Sequence, residues 1–365
     1  MVNFAGNLTV ESFVDIGGNV SKPSKPIAGT TQMVEIHVTR LYLVSKSVSR
    51  LPFNLEDASR SEADFHNPPE GKQPVRVKLD TRLNNRVLDL QTPASSSIFR
   101  IESKVMALFS KFLLKEGFIW VQTPKILFGE SEGGAKVFKM RYFEEDACLA
   151  QAPQVHKSMC ISACFKKIFI IGAKYRAQHS NTHRHVCEFT GLDVEMEIVR
   201  HYAEVMDLVD MLFVEIFDEL NKTYCVELDT IKAQYPFEDL KYCKKTVRIT
   251  FEEGIQMLKD AGKELDPLGD LNLENERKLG ELVRERFDTD FFILHRYPIG
   301  ARPFFHMSCH DDARYNCSFD VFIRGEEVVS GAQRVHDADM LKERVKEAKI
   351  TGGDKTLESY IESLR

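Results

Sequence analysis

The sequence predicts an α+β fold, an antiparallel sheet with flanking helices preceded by a small piece of β-barrel. Three observations lead there. Residues 187–198 alternate: Leu192, Val194, Met196 and Ile198 face one way, and Phe189, Asp193, Glu195 and Glu197 the other, as a half-buried strand requires. Separate stretches repeat apolar residues at steps of three and four, the period of a helix with one buried face. Strands outnumber βαβ units, and no internal repeat is visible.

The elements follow in chain order. Residues 1–55 read as short strands: Val34-Glu35-Ile36-His37-Val38 alternates, and Leu41-Tyr42-Leu43-Val44 continues the apolar signal. Residues 56–78 are polar, hold Pro68, Pro69, Gly71 and Pro74, and read as a loop or linker. Ser95, Ser96 and Ser97 are candidate helix caps. Ile98, Ile101, Val105, Leu108 and Phe112 form the apolar stripe of the helix that follows, and Gly117 stands where its stop belongs. Phe118 to Val121 reads as a strand ending at Pro124. Ile168 to Ile171 is a buried run. Further helices are expected over about 202–221, with Val205, Leu208, Leu212, Ile216 and Leu220 on one stripe, and about 273–286.

Composition narrows the function classes. A chain of 365 residues is long enough for two domains. A net charge of −6 argues against sequence-blind phosphate binding by the whole surface, though not against a local basic patch. No apolar stretch reaches the ~18 residues of a membrane span, and the start MVNFAGNLTVESF lacks the basic and apolar regions of a secretory signal. The eight cysteines are scattered, which points to free thiols in a reducing cytosol. Zinc held by Cys160, Cys164 and Cys187 is the alternative to buried thiols on a helix and a strand.

Three segments carry candidate chemistry. The first is Gln151-Ala152-Pro153-Gln154-Val155-His156-Lys157. In the second, Tyr175-Arg176-Ala177-Gln178 leads through a basic loop, residues 179–185, to Glu188-Phe189 and Gly191-Leu192-Asp193. Arg176 suits bidentate contact with phosphate or carboxylate, while Phe189 and Asp193 share a strand face, a flat ring beside an acceptor for an ammonium group. The plainer reading is a solvated hairpin with one packed Phe. The third segment runs from Ser318-Phe319-Asp320 through Arg324-Gly325-Glu326-Glu327 to Ser330-Gly331-Ala332-Gln333-Arg334. If Arg324-Gly325 is a hairpin turn, Asp320 and Glu327 project from one face of neighbouring strands. Magnesium carried by a triphosphate fits between such carboxylates. A surface pair with separate solvation is the other reading.

Together and in this order, the segments resemble a class II aminoacyl-tRNA synthetase of the aspartate subgroup, eukaryotic cytoplasmic type. The resemblance implies domains at 1–55 (a partial OB-fold for anticodon binding), 56–94 (linker or hinge) and 95–365 (class II catalytic core without the Gly-rich motif 3). It implies aspartate contacts from Glu132 in a closing loop, Ser131-Glu132-Gly133-Gly134, and from Gln154, Lys157, Asp193 and Arg334. ATP contacts fall on Arg176, Gln178, His185, Phe189, Glu327 and Ser330. Magnesium falls on Asp320 and Glu327, and the tRNA acceptor end on Ser180 and Thr182. Arg176 and Arg334 are the expected catalytic residues. Lys157 with Arg334 favours aspartate over asparagine, because an uncharged amide leaves two cations unpaired.

The implied reaction joins L-aspartate to ATP and then to tRNA(Asp) in the cytoplasm. The implied assembly is a homodimer through the motif 1 region, Phe118 to Pro124, and admits a multi-synthetase complex; no membrane is implied. Departures from the family pattern are Gln178 where motif 2 has glutamate, Ala152 where serine is common, and His156. The chain also stops at Ser363-Leu364-Arg365, before motif 3, and lacks the first OB strands. From this the expectation is an incomplete sheet, and a polypeptide that is poorly stable or completed by a partner. The competing reading is an impaired synthetase paralogue that binds tRNA or dimerises. An ammonia-dependent asparagine synthetase on the same fold explains neither the OB-like start nor the tRNA loop.

Overall fold

The computed structural model describes residues 1–25, 33–66, 74–128, 137–179, 186–348 and 355–365. The chain forms two compact units, Met1–Ser97 with Thr230–Pro236, and Ile98–Asp229 with Phe237–Arg365.

In the first unit, β1 (Phe13–Ser21) pairs antiparallel with β2 (Glu35–Ser45), and Gly17/Gly18 marks a bulge in the register. The two apolar runs read separately at 34–44 are one strand, since Thr39 and Arg40 between them fit a pleat. A piece of β-barrel was expected; the described residues show a two-stranded hairpin and no closed barrel. Two strands leave both edges open, and closure needs more of them. Nearby, Phe53, Ala58 and Leu88 form a small core.

The second unit carries the chemistry. Its first strands are β3 (Ile119–Trp120), β4 (Ile126–Leu127), β5 (Lys139–Tyr142), β6 (Glu145–Leu149), β7 (Lys167–Tyr175) and β8 (Glu188–Met196). β3, β7 and β8 make one sheet, while β4, β6 and β5 make another. β7 pairs antiparallel with β8, with Ile170 opposite Asp193 and Lys174 opposite Phe189. The predicted alternation therefore holds. Val194 and Met196 pack with Phe169 in the main core, and Gly191, Asp193 and Glu195 take the other face. Leu192, expected on the core side, stays 37% exposed.

The main core lies where helix Pro93–Lys115 meets helix Ala203–Thr223, joining Leu108, Phe109, Phe112 and Leu113 to Met206, Val209, Leu212 and Ile216. Ser95–Ser97 are not its caps. The helix starts at Pro93, whose fixed φ and missing N–H suit a first position. Gly117, at φ 81°, ends it as predicted.

The last strands are β9 (Val247–Thr250), β10 (Phe291–His295), β11 (Ser318–Ile323) and β12 (Glu326–Ala332), in the order β12-β11-β10-β9. An antiparallel sheet was expected, yet β9 runs parallel to β10, as β3 does to β7. Helices Phe251–Asp260 and Leu273–Phe287 connect β9 to β10 and carry the chain back to its starting end, as a parallel pair requires. β10 is buried on both faces: Phe291 and Ile293 join the main core, whereas Phe292 and Leu294 pack with Leu258, Leu279 and Val283 of the crossover helices. That burial explains its unbroken apolar run.

The cysteines also depart from expectation. Cys164 and Cys187 are exposed and Cys160 is half-buried, so these are not the buried thiols foreseen. The described residues contain no helix long and apolar enough to cross a membrane.

Candidate functional site

Helix Gln154–Ser162 places Gln154, Lys157 and Ser158 on one face, at spacings of three and four. Arg334 follows β12. Lys157 and Arg334 line one cleft of about 830 Å³ and meet on the same carboxylate, Glu195. Arg334 Nη2 lies 3.1 Å from Glu195 Oε2, and Lys157 Nζ lies 3.5 Å from the same oxygen. Ser158 Oγ donates to Glu195 Oε1 at 3.1 Å, and Arg334 also donates to Gln154 Oε1. Burial opposes the Glu195 charge, but Arg334 and Lys157 outweigh it and hold the carboxyl below its ordinary range. Sequence reasoning put Glu195 on the right face and gave it no role; the signal was a second acid two residues after Asp193.

Asp193, on the same face, is 9% exposed and bonded by two ammonium groups. Lys157 Nζ stands 3.3 Å from Oδ1, and Lys174 Nζ 2.9 Å from Oδ2. Lys174 was absent from the expected set. Burial penalises the Asp193 charge, and the two lysines more than restore it.

The second segment gathers beside this cluster. Arg176 follows β7 and lines the cleft, with Cζ 5.4 Å from the centroid of the Phe189 ring. The guanidinium thus rests on the face of that ring. Gln178 opens the following loop, its backbone N–H donating to Arg176 O at 2.8 Å. Glu132, Ser180, Thr182 and His185 lie outside the described residues.

The third segment folds as a hairpin. Arg324 (φ 54°) and Gly325 (φ 72°) form its turn, both in the left-handed region that two-residue hairpin turns use. Phe322 pairs with Glu327 and Asp320 with Ser330, so Asp320, Glu327 and Ser330 share a face by register. A bulge, with Val328 as the extra residue, is what brings Ser330 there. Arg302, which sequence reasoning missed, braces this face. It donates to Asp320 Oδ2, approaches Ser330 Oγ at 3.4 Å and lies 3.7 Å over the Tyr297 ring. No periodicity marked it, because it follows a single turn, Ile299–Ala301. Beside it stands His306, 8% exposed, with Nδ1 buried and lacking a hydrogen bond. Burial, then Arg334 and Arg302, push its imidazole down to about 3, so the ring is neutral.

Among the described residues no three His, Cys, Asp or Glu side chains cluster to hold a metal by themselves. Asp320 Oδ1 is nevertheless buried without a hydrogen bond, with Glu327 on the same face. That fits magnesium, which takes one or two carboxylates and completes its shell with phosphate oxygens and water.

Residues 78–365 match the family described as tRNA synthetases class II (D, K and N). The chain belongs to that family. This class II synthetase is 52% identical to aspartate–tRNA ligase 1, cytoplasmic, of Arabidopsis thaliana over 366 residues, spanning 100% of this chain and 68% of that protein. It is 45% identical to the cytoplasmic aspartate–tRNA ligase of Homo sapiens, over 100% of this chain and 72% of that protein. The structure of aspartyl-tRNA synthetase from Entamoeba histolytica matches with TM-score 0.89 and 41% identity, covering 100% of this chain and 72% of that one.

Proposed function

We propose that this chain is an aspartate–tRNA ligase of the cytoplasm: it activates L-aspartate with ATP and charges tRNA(Asp). The observation that carries the reading is the convergence of Lys157 and Arg334 on one carboxylate inside one cleft. Glu195 supplies that carboxylate in this structure. When aspartate enters, its side-chain carboxylate takes up the same two cations. An amide brings no charge to exchange for Glu195 and cannot take the two cations from it, which is the basis of selection against asparagine.

The proposed roles rest on the resemblance and on the chemistry of each side chain. Gln154, Lys157 and Arg334 hold the side chain, Asp193 accepts from the α-ammonium, and Glu132 closes over the amino acid. Phe189 lies under adenine, with Gln178 and His185 as further ATP contacts. Arg176 meets the α-phosphate. The α-carboxylate of aspartate attacks the α-phosphorus, pyrophosphate leaves, and the terminal ribose hydroxyl of tRNA then attacks the acyl carbon and releases AMP. Arg176 stabilises the charge that develops on the phosphoryl oxygens. Asp320 and Glu327, with Ser330 beside them, would hold magnesium, which when bound neutralises phosphate charge. Ser180 and Thr182 touch the acceptor end. In the same reading residues 1–55 belong to an OB-fold for the anticodon, 56–94 to a hinge and 95–365 to the catalytic core. Dimerisation runs through Phe118 to Pro124, and a multi-synthetase complex is compatible with it.

A second reading, an impaired paralogue that binds tRNA or dimerises, draws support from Gln178, an amide where the family pattern has a carboxylate. Aspartate-dependent ATP–pyrophosphate exchange separates the two. With Lys157→Ala or Arg334→Ala, exchange is expected to fall by about 100-fold or more, the scale of a lost buried charge contact. Unchanged exchange in both variants removes the aspartate assignment.

A further inference from the structure

Asp193 is the acceptor proposed for the substrate's α-ammonium group, yet the fold already surrounds it with ammonium groups of its own. Lys174 Nζ lies 2.9 Å from Oδ2 and 3.1 Å from Oδ1, and Lys157 Nζ lies 3.3 Å from Oδ1. Lys125 feels the same field: burial lowers its pKa, Asp193 partly restores it, and Lys174 lowers it again. The three lysines differ in what a substrate does to them. Lys157 has a second partner, Glu195, and is drawn off toward the aspartate side chain on binding. For Lys174 no such exchange partner follows from the proposed pose.

The path of Lys174 is also built into the sheet. Gly172 and Gly191 pair directly across β7 and β8. A Cβ on Gly191 would come 2.0 Å from Lys174 Cε, and 2.7 Å from its Nζ. The missing side chain leaves a trough in which the lysine lies flat and reaches Asp193. Its side chain is only 14% exposed, so the pair is poorly screened by solvent.

We propose that Lys174 is a specificity-determining residue that competes with the substrate's α-ammonium group for Asp193, so that the pocket reads the two carboxylates of its ligand more strongly than its amino group. The inference rests on the aspartate reading above. A carboxylate offers about four lone-pair sites, so a third donor is sterically admissible. The cost is electrostatic, because the incoming ammonium meets like charge on a carboxylate already neutralised.

Calorimetric titration of the whole chain with L-aspartate, and with succinate, tests this. Succinate keeps both carboxylates and lacks the ammonium. The wild-type chain is expected to bind the two within about threefold of each other. In Lys174→Met, aspartate is expected to bind about tenfold more tightly while succinate changes by less than about twofold, and the gain in exchange falls on KM for aspartate. Gly191→Ala, which pushes the lysine tail aside and keeps its charge, is expected to move the ratio of affinities in the same direction. If Lys174→Met weakens both ligands equally, Lys174 is a general anion contact and the inference falls while the pocket stands. An unchanged ratio in both variants has the same meaning. Binding of neither ligand to any of the proteins overturns the pocket assignment, and this inference with it.

Discussion

His306 shows how one residue records the charge of its surroundings. It lies in the cleft wall, its backbone bridged to Arg334, and its ring faces Arg302 and Arg334. Protonation there would add a third cation to two. Its pKa drops from the ordinary 6.5 to about 3. Between those values the unfolded chain binds the proton and the folded chain does not. Stability therefore falls as pH drops from 6.5 toward 3, and the loss is absent above 6.5. Each pH unit in that window costs up to about 1.4 kcal/mol. Urea midpoints followed downward from neutral pH should decline less steeply in His306→Asn than in the wild type. Parallel slopes would show that the ring is protonated in the folded chain. Glu195 and Asp193, both held below their ordinary values of 4.5 and 3.8, begin to lose their contribution as pH falls through those values and their unfolded-state counterparts take up protons.

At the scale of elements, the β11–β12 hairpin depends on two glycines in contact. A Cβ on Gly280, in helix Leu273–Phe287, would fall 2.5 Å from Gly325 Cα, and one on Gly325 would fall 2.7 Å from Arg277 Cα. Helix and turn therefore touch backbone to backbone, and the Arg277–Glu326 ion pair lies alongside. This contact sets the height of the turn, and with it the position of Asp320 and Glu327. Gly280→Ala should cost about 1–3 kcal/mol through overpacking, seen as a fall of several degrees in Tm, and should raise the magnesium concentration needed for exchange. A variant with wild-type Tm and magnesium response would mean that the turn has room to shift. The same hairpin was legible in the sequence, since Arg324-Gly325 between two strand-like segments is a local signal. The parallel pairing of β9 with β10 was not, because β9 is four residues long and its partner lies beyond two helices.

For the molecule as a whole, local periodicity revealed the helices expected at 98–112, about 202–221 and about 273–286 and the faces of β8, because a repeat of 3.6 or 2 needs no tertiary information. Which charges meet was another matter. Glu195 and Arg334 are 139 residues apart in the chain, and nothing in either neighbourhood announces the other. The convergence of Lys157 and Arg334 came from family resemblance, and Lys174 entered only through geometry, since a lysine near the end of a strand reads as a solvated residue. The cleft is a product of packing between helix Gln154–Ser162, β8 and the segment after β12, three elements distant in sequence.

The extra residue in β12 gives this assembly an unusual sensitivity to length. Val328 is the member of the strand with no counterpart on β11, and it is what lets Glu327 and Ser330 share a face. Insertion of a single codon between Val329 and Ser330, with the ladder carried on regularly, would turn Ser330 inward and bring Gly331 onto the face of Asp320. Chain length within this strand is thus under the same constraint as the identity of its charged residues, and a reading-frame-preserving insertion would disarm the site without altering one of them.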